Sequence, residues 1–141
     1  MPNPLPLAYD RVYHIYNRGT NREDLFKNQG DYARFLRRYA RYIEPVAETY
    51  AYSLLRNHFH LLIRTRRPEE QRYFANGGVP RRPSRTLSPS RQFAHLFGSY
   101  AQAFNETYER TGSLFEHPFH RIPLETEMYF HHLVVYIHRN P

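Results

Sequence analysis

Cysteine is absent from the 141 residues, which excludes disulfides, thiolate metal sites and cysteine nucleophiles. Any metal must then rest on His, carboxylate or amide ligands. No apolar run approaches the roughly 18 residues that a membrane-spanning helix needs. The opening Met1-Pro2-Asn3-Pro4-Leu5-Pro6 has neither the basic start nor the apolar centre of a signal peptide, so a soluble cytoplasmic protein with no membrane partner is expected. Lysine is nearly missing as well. Lys27 is the one lysine among 20 basic residues, set against 13 acidic ones for a formal charge of +7.

What replaces lysine is arginine, whose planar fork offers two donors to phosphate oxygens where lysine offers a point charge. With 13 tyrosines and 10 phenylalanines to stack on bases, this composition suits a nucleic-acid partner. It equally describes an ordinary solvated basic surface. A hydrophobic content of 40% is enough for a core, and the length suits one domain over residues 1–141 that buries roughly two-thirds of its unfolded surface.

Arg11 to Tyr16 alternates β-branched and aromatic residues and predicts a strand ending at Asn17-Arg18-Gly19. A helix follows, with Asp31 as cap, Tyr32, Phe35, Leu36, Tyr39 and Ile43 on one face, and Pro45 as stop. Its other face carries Arg34, Arg37, Arg38 and Arg41, whose mutual repulsion of a few tenths of a kcal/mol per pair either solvent or a phosphate backbone can relieve. Val46 to Thr65 predicts two strands broken near Arg56-Asn57. The Pro- and Gly-punctuated stretch 66–90, with Arg66, Arg67, Arg81, Arg82 and Arg85, predicts a mobile basic loop.

Ser88-Pro89 opens a second helix with Phe93, Leu96, Phe97, Tyr100, Phe104 and Tyr108 inward and Gly112 at its end. Ser113 to Ile122 predicts an edge or bulged strand because Pro118 interrupts it. A last helix spans about Glu125 to Arg139, its first turn acidic as the helix dipole favours. The order β-α-β-β-α-β-α is that of an α+β fold, an antiparallel sheet sandwiched by helices.

Two clusters carry chemistry. In His58-Phe59-His60 the imidazoles project to one face of a strand, their Cα atoms about 6–7 Å apart, while Phe59 and Leu61 turn to the other. Such a pair can chelate a cation or simply bond to backbone and water. On the last helix Phe130, Leu133, Val134 and Ile137 define the buried stripe. At about 100° per residue, Tyr136 falls roughly 110° from its centre, between His132 one turn before and Asn140 one turn after. The core does not require that tyrosine, which leaves it as packing edge or as functional group.

Tyr16-Asn17-Arg18-Gly19 with Phe26, Asn57-His58-Phe59-His60-Leu61-Leu62-Ile63, Gly112-Ser113-Leu114-Phe115 with Phe119, and Tyr136-Ile137-His138-Arg139-Asn140-Pro141 resemble, in order and spacing, the one-tyrosine transposases of the His-hydrophobic-His superfamily. The likeness is greatest to the branch that includes the REP-associated tyrosine transposases. It implies a ferredoxin-like, RRM-like sandwich, a bacterial nucleoid-associated setting, and metal-dependent cleavage and rejoining of single-stranded or hairpin DNA by a monomer or homodimer. By matching position, His58 and His60 would bind Mg²⁺ or Mn²⁺ and Tyr136 would attack the scissile phosphate. Related insertion-sequence enzymes add a glutamine one turn beyond the tyrosine, where this chain has Asn140 as the metal-ligand candidate. Arg56 stands where the family commonly has proline, and members usually continue beyond Asn-Pro, which implies a further C-terminal segment.

The implied chemistry is physically coherent. A divalent cation withdraws charge from a phosphate that otherwise repels its attacker, and two imidazoles plus an amide leave positions open for it, although zinc would bind imidazoles too. A phenol holds its proton at neutral pH, so it needs the metal, a base such as His132, or nearby arginines. Attack gives a 5′-phosphotyrosine and a free 3′-OH, which conserves the bond for rejoining. Arg18 and the arginines named above are phosphate-contact candidates. His14 on the first strand is either an ordinary structural histidine or a neighbour of the site; His117 and His120 are expected on an edge strand near DNA, His95 in solvent, and His138 facing away from Tyr136. A hairpin-binding module without turnover and a nuclease that activates water are the alternative readings.

Overall fold

A computed structural model describes residues 4–73 and 79–139, with only the backbone of Met128 and His138. Its elements are β1 (Val12–Arg18), α1 (Gln29–Tyr42), β2 (Ala47–Leu55), β3 (His58–Thr65), α2 (Pro89–Thr107), β4 (His120–Pro123) and α3 (Glu127–Arg139), in the expected order. The four strands form one sheet in the order β2-β3-β1-β4 with every neighbouring pair antiparallel. This is the ferredoxin-like arrangement, with β3 and β1 interior and β2 and β4 at the edges.

The pleat sorts the side chains. Ile15 of β1 and Phe59, Leu61 and Ile63 of β3 turn to one face, where Phe35 and Tyr39 of α1 and Phe93, Leu96, Phe97, Tyr100 and Phe104 of α2 complete the main core. On the opposite face Leu133 and Ile137 of α3 close a smaller cluster with Ala51 and Leu62, and Phe130 and Val134 pack against it. Helices therefore cover both sides, as the sandwich requires. The stripe expected on α3 is the stripe observed.

Several boundaries move, each for a physical reason. Asn28, not Asp31, caps α1 through an Oδ1 that accepts from Asp31 N at 3.1 Å. Asp31 is instead buried at 1% exposure, accepting from Lys27 N–H at 2.9 Å, the Tyr108 hydroxyl at 2.6 Å and Arg34 at 2.8 Å. It joins the two helices of the main layer and neutralises one of the arginines counted as repelling. Helix α2 begins as expected, Ser88 accepting from Arg91 N–H with Pro89 in the first turn, but it stops at Thr107 rather than Gly112. The strand expected over 113–122 shrinks to β4, because Leu114, Phe115 and Phe119 are buried in the core and Pro118 has no donor for a ladder. Only a single bridge, Phe115 to Gly19, remains of its first half.

The 66–90 segment is tied at its base. Pro68–Glu70 forms a 3₁₀ turn, and buried Gln71 takes the Leu87 N–H at 2.8 Å and gives its own amide to the Leu87 carbonyl at 2.9 Å. Arg67 lies 3.3 Å from Glu70, and Arg64 bonds Asp10, Glu48 and Glu70.

The two faces of β3 make different demands on stability. Phe59→Ala opens a cavity among aromatic rings and is expected to cost about 3–5 kcal/mol, whereas His58→Ala on the half-buried open face is expected to cost less than about 1 kcal/mol. Urea unfolding of both variants measures the difference.

Candidate active site

The register of the interior strands assembles the site. Tyr16 of β1 stands opposite His60 of β3 and opposite His120 of β4, and Arg18 stands opposite His58. With alternation, His14, Tyr16, Arg18, His58, His60 and His120 share the face opposite the main core. A cavity of about 570 Å³ opens there, lined by Tyr16, Asn17, Arg18, Arg22, Asn57, His58, Phe59, His60 and His120.

The rings inside are close and ordered. His58 and His60 have centroids 5.4 Å apart in an edge-to-face arrangement, and Tyr16 stacks on His120 at 4.7 Å with an interplanar angle of 11°. His58 Nδ1 is 2.9 Å from Asn57 Oδ1, and His60 Nδ1 is 3.0 Å from Nε2 of His14. His14 is buried at 7% exposure and its Nδ1 has no partner among the described residues. The Tyr136 ring of α3 meets His60 edge-to-face at 5.7 Å, and Tyr136 is 51% exposed.

Burial disfavours the charged form of His14 and of His60. Burial, then the neighbouring His60, lowers His14 to about 4, and burial followed by His58 lowers His60 below the usual histidine value. Neutral imidazole is the form that ligates a cation. Neither His58 Nε2 nor His60 Nε2 makes a hydrogen bond among the described residues, and neither is among the buried atoms without a partner, so both are accessible from the cavity. The donor set thus fits a cation held by two nitrogens with open positions left over. Among the described residues no group of three or more His, Asp or Glu side chains encloses such an ion.

The residues singled out from sequence fall into two groups. The fold brings together His58, His60, His14, Tyr136 and Arg18, the last paired with Glu116 at 2.8 Å. His132 is exposed on α3. Asn140 and the His138 side chain lie outside the described residues. The arginines of α1 sit behind the sheet, on the main-core side: Arg34 bonds Asp31 at 2.8 Å, Arg38 bonds Ser99 at 2.9 Å, and Arg37 and Arg41 are exposed. Arg66 donates to the Glu44 carbonyl at 2.9 Å, Arg67 is paired with Glu70 and Asp10, and Arg82 and Arg85 line a separate cavity under the 66–90 segment, with exposed Arg81 bonded through its backbone to Tyr73.

Sequence reasoning gave no role to Tyr16, Arg22 or Asn57, all of which line the cavity. Alternation from His14 would have reached Tyr16. No local signal reaches Arg22, which is delivered by a turn in which Asn21 and Arg22 hold φ of 55° and 60°. Gly19 permits that turn, since a Cβ there would lie 2.1 Å from the Glu23 carbonyl oxygen.

The low value of His14 has a direct thermodynamic consequence. Unfolding releases it to bind a proton near 6.5, while the folded protein refuses that proton down to about 4, so the unfolded state binds more protons across this window. Stability of the metal-free protein is expected to fall as pH drops from about 6.5 to about 4, and His14→Phe is expected to flatten that fall. Urea midpoints collected with chelator across the range test it.

No protein-family model matches the chain, and no curated protein is similar to it in sequence. Solved structures are similar in fold. A structure of a REP-associated tyrosine transposase bound to a REP hairpin superposes with a TM-score of 0.64 at 12% identity, covering 97% of this chain and 69% of that one. A transposase candidate from Deinococcus radiodurans R1 superposes with a TM-score of 0.51 at 14% identity, covering 98% of this chain and 96% of that one.

Proposed function

We propose that the protein is a transposase-like, metal-dependent endonuclease and strand transferase that acts on single-stranded or hairpin DNA through a 5′-phosphotyrosine intermediate. The observation that carries this reading is the approach of the Tyr136 ring to within 5.7 Å of His60, across two elements with no sequence proximity. A half-exposed phenol beside a pair of accessible imidazoles is a poor solution for packing and a good one for phosphoryl transfer. The fold shared with a transposase bound to a REP hairpin supports it.

His58 and His60 would hold Mg²⁺ or Mn²⁺, with Asn140 as the amide ligand that the family resemblance implies. A cation bound there supplies Lewis acidity toward the scissile phosphate. Tyr136 attacks phosphorus with its oxygen, the P–O3′ bond breaks, the phenolic proton passes to His132 or solvent, and the departing 3′ oxygen takes up a proton. Arg18 and Arg22 at the cavity rim bind flanking phosphates by charge-assisted hydrogen bonds. The stacked Tyr16 and His120 rings offer an unpaired base a platform, which intact duplex cannot use.

Labelled hairpin oligonucleotides incubated with the protein and Mn²⁺ are expected to yield a denaturant-stable protein–DNA adduct. Tyr136→Phe is expected to abolish the adduct, and His58→Ala or His60→Ala to reduce its rate by at least about 10³-fold. Cleavage without an adduct would instead indicate a nuclease that activates water. A mobility shift without cleavage would indicate a binding module.

A further inference from the structure

Both cavity histidines are already gripped by their Nδ1 atoms. His58 Nδ1 lies 2.9 Å from Asn57 Oδ1, and because a carbonyl oxygen only accepts, that nitrogen carries the proton and Nε2 keeps its lone pair. His60 Nδ1 lies 3.0 Å from His14 Nε2, reached diagonally across the ladder because His14 pairs with Leu62 and Tyr16 with His60. The two Nε2 atoms make no hydrogen bond among the described residues, and both rings line the cavity.

His14 itself is an expensive choice for packing. It is buried, its Nδ1 has no partner among the described residues, and its ring packs against Tyr16 and His60 at centroid distances of 4.8 and 5.2 Å. A phenylalanine would fill the same space without an unsatisfied polar atom. The hydrogen bond to His60 is what the imidazole adds.

We propose that Asn57 and His14 are positioning residues for a divalent cation: Asn57 accepts from His58 and His14 from His60, so that both ligand histidines present bare Nε2 lone pairs to one cation site. This deepens the metal-dependent reading above and rests on it. Such outer partners fix the tautomer and orientation of ligand histidines and raise their basicity. His14 and His60 sit on neighbouring interior strands, and Asn57 closes the β2–β3 turn immediately before His58.

The test uses the full chain and Mn²⁺ alone, with free Mn²⁺ followed by electron paramagnetic resonance, melting temperature recorded in chelator, and imidazole tautomers read by ¹⁵N NMR. Asn57→Ala and His14→Phe are each expected to weaken Mn²⁺ binding about 10- to 100-fold, while Asn57→Asp, which keeps an acceptor at the same place, retains it. His14→Phe is expected to melt no lower than the parent at neutral pH, which separates positioning from a merely structural role. In the metal-free parent His58 is expected as the Nδ1–H tautomer, and Asn57→Ala to lose that preference. Parent-like affinity in both Asn57→Ala and His14→Phe overturns the positioning role alone. Failure of the parent protein to bind Mn²⁺ overturns the metal-dependent reading, and this proposal with it.

Discussion

Because successive side chains of a strand leave on opposite faces, His58 and His60 can face the cavity only while Phe59, Leu61 and Ile63 are locked into the core behind them. A slip of one residue would send the imidazoles into a layer of phenyl rings and the phenyl ring into water. The register of β3 is therefore the constraint on which the site depends. It is enforced from both sides, since β3 is hydrogen-bonded to β2 and to β1. Fully buried Phe35, Phe59, Phe93, Tyr100 and Phe115 provide the penalty against slipping.

The same sheet tolerates polar groups where a purely structural design would avoid them. Among the described residues, His14 keeps an unpartnered nitrogen in the interior, and Ser53, paired with His60 across the β2–β3 ladder, keeps an unpartnered hydroxyl. Both lie on the face that carries the histidines. Away from that face, Asp31 has its acceptors filled by Lys27, Arg34 and Tyr108 and Gln71 is bonded twice to Leu87, while Arg121 Nε, opposite Ile15 of β1, is buried without a partner among the described residues. Two of the three buried side-chain atoms without a partner among the described residues thus lie on the histidine face.

Much of this was readable locally. The alternation around His58, the cap at Ser88 and the α3 stripe depend on periodicity alone, and the structure follows them. The misplaced features depend on partners distant in sequence. Asp31 caps nothing because Tyr108, far along the chain, gives it a buried role. The strand foreseen over 113–122 is shortened because α2 claims Phe115 and Phe119 for the core. The arginine face of α1 leaves solvent and phosphate both open from sequence, and only the fold shows that its helix packs on the side of the sheet away from the cavity.

The sequence by itself determined which side chains share a face: strand and helix periods act over a few residues, so His58 with His60, and Tyr136 off the apolar stripe, follow from spacing. The strand order determined the rest. Only the folded sheet put β1 beside β3, bringing Tyr16 and His14 to the histidine pair, and only the packing of Leu133 and Ile137 on Ala51 and Leu62 turned α3 so that Tyr136 meets His60. Those contacts join segments tens of residues apart, and their energies come from burial and register that no local pattern encodes.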